Sequence, residues 1–419
     1  MLEITKRVRF ADITLLSKGV ICPCVMEENI NKKLGKEISL LRSKEGYLYA
    51  GFPKFRALFG RDSIISSWEL LDYDPEIAIK TLNALASLQG KKVVAETGEY
   101  PGKILHEYYD DPAVYEARRE AIPWLKRGPS FFSVDSTPLF IILFFELRQR
   151  KKKAFSKQLL TAVDNALAFL LNYGFRGYFL GYEKALIGAG LQSQSWRDGI
   201  GDIMDRLKSP VYTVGVQGYA YYALVKTKEI MRGDLYKSSK NLAENLENTE
   251  RHIRDLRENL DSYFWIDETS YYALAHDGDG VAETAVTSDP AHLLFSGILS
   301  RKREKEIIGR IFEDDMMTEF GLRSLSCRDP KFDAKAYQRG AIWPQDNWII
   351  AMGLKRRGYL KEYREIRERI IAAYTKMGKM PEYFSVTRDG SLIYDNLRIA
   401  PCYPQAWSTG AMISFFLED

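Results

Sequence analysis

Four runs of the sequence place a carboxyl group beside an aromatic side chain, and all four fall in a connection between predicted helices or at the start of a predicted helix. They are Phe59-Gly-Arg61-Asp62, Trp196-Arg197-Asp198, Trp343-Pro-Gln-Asp346 and Pro381-Glu382-Tyr383-Phe384. Aromatic faces bind the apolar faces of sugar rings, while carboxylates, amides and arginines bind sugar hydroxyls. Cleavage of a glycosidic bond needs two carboxyl groups, one protonated to assist the leaving oxygen and one ionised. These residue types therefore indicate a carbohydrate site.

Asp198 is the strongest candidate for an acid catalyst. It lies in the loop-like run 191–202, between Trp196 and Arg197 on one side and Gly199 on the other. Its pKa must be raised against the lowering effect of a neighbouring arginine, so Arg197 is predicted to point at substrate hydroxyls or at another acid. The alternative is that Asp198 only caps a helix in an ordinary turn.

The other candidates have structural alternatives as well. Arg61 and Asp62 could form an ion pair at a helix start, and Glu382 could be a first-turn helix acid. The tryptophans at helical spacing, Trp343 and Trp407, could belong to the core. A shared site is favoured over all of these alternatives holding at once.

The sequence lacks the motifs of several other kinds of enzyme. The sequence contains no phosphate-binding loop, dinucleotide fingerprint, nucleophile elbow or His-Glu-x-x-His zinc motif. Four scattered cysteines and four scattered histidines do not have metal-ligand spacing, and the Asp277-Gly-Asp-Gly280 turn lacks the later ligands of a calcium loop. We therefore expect neither a metal nor a cofactor.

Composition narrows the choice of partners. The net charge of +4 over 419 residues is too small to indicate a surface that binds nucleic acid. The longest apolar stretch, 138–147, is far shorter than the roughly 20 residues needed to cross a bilayer, and the N-terminus lacks the apolar core of a signal peptide. We expect a cytoplasmic protein with a carbohydrate substrate and no membrane or nucleic-acid partner; composition does not bear on its oligomeric state.

Helical periodicity dominates the elements that must position these residues. The apolar spacing predicts at least nine helices, broken by connections that alternate between long and short, which suggests a closed ring of helices with its long loops on one face. The predicted helices are 64–88, 138–150, 159–171, 214–230, 242–260, 302–312, 342–354, 359–374 and 405–417. A β-hairpin is predicted over 270–286. Residues 1–50 are predicted to form a lead-in of irregular strands packed on a catalytic domain of residues 51–419.

A series of motifs in order resembles the glucosidase domain of glycogen debranching enzymes, the amylo-α-1,6-glucosidase family, and more loosely processing α-glucosidase I, glycosylglycerate hydrolases and trehalases. The resemblance covers residues from about 50 to the C-terminus, and its motifs are Phe59–Ile65, Pro101–Glu107, Ser133–Phe140, Gln194–Asp198, Val216–Tyr219, Gly321–Ser326, Tyr337–Asp346, Pro381-Glu382 and Gln405–Ser408. The resemblance implies an all-α (α/α)6 barrel and an inverting mechanism, with Asp198 as general acid and Glu382 as general base.

The resemblance also implies a set of substrate-binding residues. Arg61 and Asp62 match ligands of the terminal sugar, and the further matching positions are Trp196, Arg197, Gln217, Tyr219, Trp343, Asp346, Gln405 and Trp407. The chain departs from its relatives at Gly199, where many have Ser, and at Gln338-Arg339. These departures lie near the implied pocket, so the sugar or the linkage can differ.

Four functions follow from this interpretation. An exo-acting inverting α-glucosidase for an α-glucan oligosaccharide or small α-glucoside is favoured. A hydrolase of a compatible solute, such as a glycosylglycerate or trehalose, would need a basic group in the outer pocket, for which Lys103, Arg323 and Arg339 are candidates. A sugar epimerase would usually employ histidine bases, which are scarce here. A carbohydrate-binding protein without catalysis is disfavoured because both carboxylates are present.

Overall fold

The computed structural model describes residues 23–122, 125, 128–151, 155–199, 201–231 and 242–417. The first 22 residues of the predicted lead-in lie outside this part of the chain, as does Ile200 of the 191–202 run. Within the described part, none of the helices combines the length and apolar character that a membrane crossing requires.

Thirteen α-helices form about half of the described structure. In chain order they are α1 (Pro23–Leu41), α2 (Gly60–Glu69), α3 (Pro75–Ser87), α4 (Pro112–Ala121), α5 (Ser136–Arg150), α6 (Lys157–Phe169), α7 (Val214–Met231), α8 (Leu242–Phe264), α9 (Leu293–Ser296), α10 (Arg301–Ile311), α11 (Pro344–Arg357), α12 (Leu360–Met377) and α13 (Ala406–Leu417).

An inner ring of six helices forms the core. Helices α2, α5, α7, α9, α11 and α13 each pack on the next, and α13 packs on α2 to close the ring. These helices are largely buried: α2 buries every residue from Gly60 to Glu69, and α5 buries every residue from Ser136 to Leu147. They therefore occupy the middle of the fold.

An outer ring of amphipathic helices covers the inner one. In α3 the buried residues are Ile77, Ala78, Thr81, Leu82 and Leu85, which lie on one face. Helices α1, α3, α6, α8 and α12 pack on inner neighbours in the same manner, and α10 packs beside the turn that precedes α9. Two concentric rings of six helices constitute an (α/α)6 barrel, so the predicted fold class is confirmed.

The structure differs from the sequence prediction at three places: helix α1, the pair α2 and α3, and helix α9. Residues 23–41 form helix α1 and not irregular strands; α1 is an outer helix that packs on α13. The single helix predicted over 64–88 is two helices, because Asp74 caps α3 with Pro75 at its first position. The one-turn helix α9 is too short for periodicity to reveal.

Short antiparallel strands lie in the connections. They are β1 (Leu58–Phe59), β2 (Glu107–Tyr108), β3 (Phe175–Arg176), β4 (Phe179–Leu180), β5 (Val211–Thr213), β6 (Trp265–Ile266), β7 (Tyr271–Tyr272), β8 (Ala275–Asp277), β9 (Ala282–Glu283), β10 (Met317–Thr318), β11 (Gly321–Leu322), β12 (Ser385–Val386) and β13 (Leu392–Ile393). Strands β8 and β9 form the predicted hairpin around 277–280, and β5 joins them as a third strand.

The inner helices bring the motif residues together. Five of the six carry a motif residue in the first turn or just before it: Arg61 and Asp62 on α2, Asp135 before α5, Gln217 on α7, Asp346 on α11 and Gln405 before α13. Asp289 and His292 lie in the turn that leads into α9. The N-terminal ends of all six inner helices therefore surround one end of the barrel.

Candidate active site

A cavity of about 770 Å³ opens at this end of the barrel. Five of the predicted site residues line it, and the cavity receives both candidate catalytic carboxylates. These five are Arg61, Asp62, Asp198, Glu382 and Trp407. The volume is in the range of small-molecule sites, and one wall, Phe55 and Phe59, is aromatic.

The Asp198 carboxyl group is 24% exposed and is held by Arg61. Arg61 Nη1 donates to Asp198 Oδ2 at 2.8 Å, and its Nε donates to Asp135 Oδ2 at the same distance. One buried guanidinium thus serves two carboxylates. Burial raises the pKa of Asp198, Arg61 lowers it, and the charge of Asp135 raises it again. The net shift is upward, the direction that a general acid requires.

Glu382 is 1% exposed and accepts two hydrogen bonds. The backbone N–H of Cys402 donates to Oε2 at 2.8 Å, and the Tyr337 hydroxyl donates to Oε1 at 2.5 Å. Both donors stabilise the ionised form and lower the pKa, but burial raises it more, so the net shift of the Glu382 pKa is upward, as it is for Asp198. The charge of Asp198 also raises the pKa of Glu382, so the two carboxyl groups interact within one cavity.

A polar pocket, lined by Asp62, His106 and Trp407, forms part of the cavity. Burial raises the pKa of Asp62 well above its usual range, and Gln405 Nε2 donates to Asp62 Oδ1 at 3.3 Å. Trp407 Nε1 and His106 Nδ1 are buried without a hydrogen-bond partner among the described residues. Burial also lowers the pKa of His106, so this ring is neutral. Unpaired polar atoms in a cavity wall suit a ligand rich in hydroxyl groups.

Arg197 and Trp196 do not line the cavity but anchor the loop that carries Asp198. Arg197 is fully buried; its Nε donates to Asp289 Oδ2 at 2.7 Å and its Nη1 to the Gln338 carbonyl at 3.0 Å. Trp196 Nε1 donates to the other oxygen of Asp289 at 2.8 Å. Of the two predicted directions for Arg197, the structure places it against another acid and away from the site of the substrate.

Four further predicted residues lie behind the cavity wall. Tyr219, His292 and Asp346 form a buried chain, with 2.6 Å from the Tyr219 hydroxyl to His292 Nδ1 and 2.6 Å from His292 Nε2 to Asp346 Oδ1. Gln217 binds the backbone of Leu180 and Thr213. Trp343 stacks on Tyr383 with its centroid 5.1 Å away. These side chains support the site from outside it.

The cavity also contains residues that the sequence did not assign. Tyr337 was part of a motif without a role, and its hydroxyl orients Glu382. Lys54 and Arg118 are two cations at the cavity wall. Glu107 lies there as well, and burial raises its pKa to about 7. The sequence could not connect Tyr337 with Glu382, because 45 residues separate them and only the fold brings them into contact.

The three basic residues predicted for the outer pocket lie elsewhere. Arg323 is buried and donates to the carbonyl oxygens of Val386 and Thr387. Arg339 lines a smaller pocket beside Tyr337, and Lys103 lines a second cavity. The two sequence departures contact each other: Gly199 N–H donates to Gln338 Oε1 at 2.9 Å.

Comparison with known proteins connects this geometry to glycoside hydrolases. A family model described as the mannosylglycerate hydrolase MGH1-like glycoside hydrolase domain matches residues 235–392, which include Tyr337 and Glu382. The mannosylglycerate hydrolases MGH1 and MGH2 of Selaginella moellendorffii are each 35% identical to this chain over 103 residues. The match covers 24% of this chain and 20% of each relative, about a fifth of their length.

Solved structures share the fold over nearly the whole chain. The mannosylglycerate hydrolase of Thermus thermophilus, in complex with Tris and D-glycerate, has a TM-score of 0.67 and 15% identity, and covers 93% of this chain and 100% of its own. A structure described as a wild-type glycosidase has a TM-score of 0.64 and 14% identity, and covers 95% of this chain and 98% of its own.

The comparisons also change which of the resembled families is favoured. The relatives found are mannosylglycerate hydrolases, so they support the glycosylglycerate hydrolases and not the debranching enzymes in particular. With its two cavity-facing carboxyl groups, the (α/α)6 barrel described here is a homologue of glycoside hydrolases.

Proposed function

We propose that this chain is an inverting, exo-acting glycoside hydrolase that removes one α-linked sugar from a small carboxylated alcohol of the glycerate type. The observation that carries the proposal is the pairing of Asp198 and Glu382 in one cavity, Asp198 held by the Arg61 guanidinium and Glu382 by the donors of Cys402 and Tyr337. Two carboxyl groups whose surroundings differ in this way can divide the roles of acid and base.

Asp198 acts as the general acid. Asp62, Asp135 and Glu382 surround Arg61 and Asp198, and a single guanidinium cannot neutralise so many carboxylates. Retention of a proton on Asp198 relieves that repulsion. The carboxyl faces the cavity, where it can protonate the oxygen that leaves with the alcohol.

Glu382 acts as the general base. Its two hydrogen-bond donors, Cys402 N–H and Tyr337 O–H, fix the orientation of the carboxylate and favour its charged form. A water held by Glu382 would attack the anomeric carbon from the face opposite the leaving oxygen, and the anomeric configuration would invert. Asp62, His106 and Trp407 would bind the hydroxyl groups of the terminal sugar.

The cations Lys54 and Arg118 support a carboxylated alcohol as the leaving group. Arg118 lies 5.4 Å from the Phe55 ring centroid and donates through Nε to Tyr109 at 3.3 Å. The remaining guanidinium donors are suited to a carboxylate in the cavity. The relatives that share the fold are mannosylglycerate hydrolases, which agrees with this substrate class.

A substrate panel tests the proposal. The purified full chain is incubated with α-mannosylglycerate, α-glucosylglycerate, trehalose, maltose and isomaltose, and the released sugar is quantified. We expect the two glycerate compounds to be hydrolysed with the largest kcat/KM. Preferential cleavage of maltose or isomaltose would favour the α-glucosidase alternative, and no cleavage of any compound would favour a binding protein.

Two substrates that differ only in the leaving group test whether Arg118 binds the carboxylate of that group. Arg118→Met should raise KM for a glycosylglycerate and leave the kcat/KM of the matching methyl glycoside unchanged, because only the former carries a carboxylate. Equal losses on both substrates would contradict this role of Arg118.

A further inference from the structure

A second cavity, of about 730 Å³, adjoins the catalytic one and contains none of the proposed catalytic residues. The segment 185–190 lies between the two cavities, and Gly188 lines both. Gly190 packs tightly against the Phe132 ring in this segment: a Cβ added there would come within 2.6 Å of the ring. The volume is ample for a sugar-sized molecule.

Three aromatic rings form one wall of the second cavity. Tyr100 lies 6.2 Å from Phe169 and 5.4 Å from Tyr173, measured between ring centroids. Phe169 and Tyr173 are stacked at 6.5 Å. Tyr173 is 41% exposed at the mouth. A continuous aromatic surface of this kind binds the C–H face of a sugar or a polyol.

A buried cation lies against this aromatic wall. Lys103 is 7% exposed, and its Nζ is 5.8 Å from the ring centroids of both Tyr100 and Phe169. Among the described residues, Nζ donates to a single acceptor, the Gly98 carbonyl oxygen at 3.2 Å. An ammonium group has three donors, so Lys103 has donors left for a ligand.

The lining of the second cavity carries three basic residues, Lys103, Arg176 and Lys184, and two acidic ones, Glu96 and Glu183. Burial and the charge of Arg176 lower the pKa of Lys103 to about 7. Arg176 is paired with Glu183 at 3.1 Å, and its Nε is buried without a partner in the described structure. A carboxylate in the cavity would stabilise the charged form of Lys103, which burial alone disfavours.

We propose that the second cavity is a separate ligand site, which binds a hydroxylated organic carboxylate through the Lys103 ammonium group and the rings of Tyr100, Phe169 and Tyr173. The ring wall would hold the carbon chain or sugar face, and Lys103 would pair with the carboxylate. The site is independent of the proposed hydrolysis, since it is built from different side chains.

Calorimetric titration of the full chain with D-gluconate tests this proposal, with methyl α-D-glucopyranoside as the neutral comparison. We expect gluconate to bind the wild type and Lys103→Met to weaken binding at least about tenfold, the effect of one lost charge-assisted hydrogen bond. Lys103→Arg, which keeps the charge, should retain binding. The neutral sugar should bind much more weakly than gluconate.

A matched tyrosine pair covers the case in which Lys103→Met does not fold. Tyr173 and Tyr178 are 41% and 43% exposed, but only Tyr173 lines the cavity. Tyr173→Ala should weaken gluconate binding about threefold or more, and Tyr178→Ala should leave it unchanged. Equal binding by all four variants would overturn the proposal, as would loss of binding in Arg118→Met alone, which would place gluconate in the catalytic cavity.

The hydrolysis assay separates this proposal from the proposed function. Lys103→Met should keep the wild-type kcat on a methyl glycoside. Gluconate binding that depends on Lys103 would support the second site even if no glycoside were hydrolysed, and active hydrolysis without such binding would overturn the second site alone.

Discussion

At the scale of single residues, two carboxyl groups are held in different ways, and we propose different tasks for them. Asp198 is held by a guanidinium that it shares with Asp135, whereas Glu382 is held by a backbone N–H and a tyrosine hydroxyl. In the proposed mechanism, Asp198 keeps a proton for the leaving oxygen, and the two donors to Glu382 favour a carboxylate. Substitutions that affect one role and not the other can therefore distinguish them.

The need for an acid depends on the leaving group. Asp198→Asn should lower kcat on a glycosylglycerate about 10²- to 10⁴-fold, the usual contribution of general acid catalysis. On an α-glycosyl fluoride the loss should be much smaller, because fluoride departs without a proton. Steady-state kinetics on both substrates measure the difference. Glu382→Gln, the control, should lose activity on both; an equal loss for Asp198→Asn would refute its role as acid.

Tyr337 is expected to set the acid side of the pH profile. Its hydroxyl lowers the pKa of Glu382 by stabilising the carboxylate. Tyr337→Phe removes that donor, so the pKa of Glu382 should rise and the acidic limb of kcat/KM should move to higher pH. The alkaline limb, which reports Asp198, should stay near its wild-type position. An acidic limb that does not move would show that Tyr337 does not act on Glu382.

At the scale of elements, buried ion pairs fix the loop that carries Asp198. Trp196 and Arg197 both donate to Asp289, which precedes α9, and so connect this loop to the inner ring. The connection spans 92 residues of sequence between Arg197 and Asp289. Local sequence therefore supplies the side chains, and the tertiary fold decides which of them face the cavity.

Loss of the buried pair should destabilise the protein. Arg197→Met leaves Asp289 and Asp202 without their cation, which should lower the free energy of unfolding by about 3–5 kcal/mol. Chemical denaturation monitored by circular dichroism measures this change. Lys208→Met is the matched control, because Lys208 and Asp279 form an ion pair that is 73% and 58% exposed; its stability should not change. Equal stabilities for the two variants would exclude the anchoring role.

The elements also show what could be predicted from sequence. Long periodic segments such as 214–230 and 359–374 predicted their helices, because burial of an apolar face is a local property of the pattern. The order of motifs indicated Asp198, Glu382, Arg61, Asp62 and Trp407, which do line the cavity. The sequence left two directions open for Arg197. The positions of Gln217 and Tyr219 behind the cavity wall could not be predicted, since their partners Leu180 and His292 are distant in sequence.

At the scale of the whole molecule, the two ends of the barrel sequence close the ring. Gly51 pairs with Gln405, Phe52 N–H donates to the Pro404 carbonyl at 3.0 Å, and Ala406 N–H donates to the Ala50 carbonyl at 2.8 Å. Glu37 of α1 accepts a hydrogen bond from Thr409 of α13 at 2.8 Å. This seam lies next to the polar pocket, so closure of the barrel and formation of the site depend on each other.

A substitution at Gly51 tests whether closure of the barrel and formation of the site depend on each other. A Cβ at Gly51 would lie 1.7 Å from Gln405 Oε1, so the Gln405 amide must shift, which disturbs the hydrogen bond from its Nε2 to Asp62. Gly51→Ala should cost about 1–3 kcal/mol of stability and raise KM for the sugar. The control is Gly309→Ala on the exposed face of α10, where nothing lies within 4 Å; it should stabilise by about 0.5–1 kcal/mol. If both substitutions changed the stability in the same direction, the role of the seam in closing the barrel would be contradicted.

The stereochemistry of the reaction tests the central claim most directly. Proton NMR recorded during the first minutes of hydrolysis of an α-glycosylglycerate identifies the anomer before mutarotation mixes the two forms. We predict that the β-anomer appears first, because Glu382 directs a water to the face opposite the leaving group. First release of the α-anomer would show retention of configuration and would contradict the roles assigned to Asp198 and Glu382.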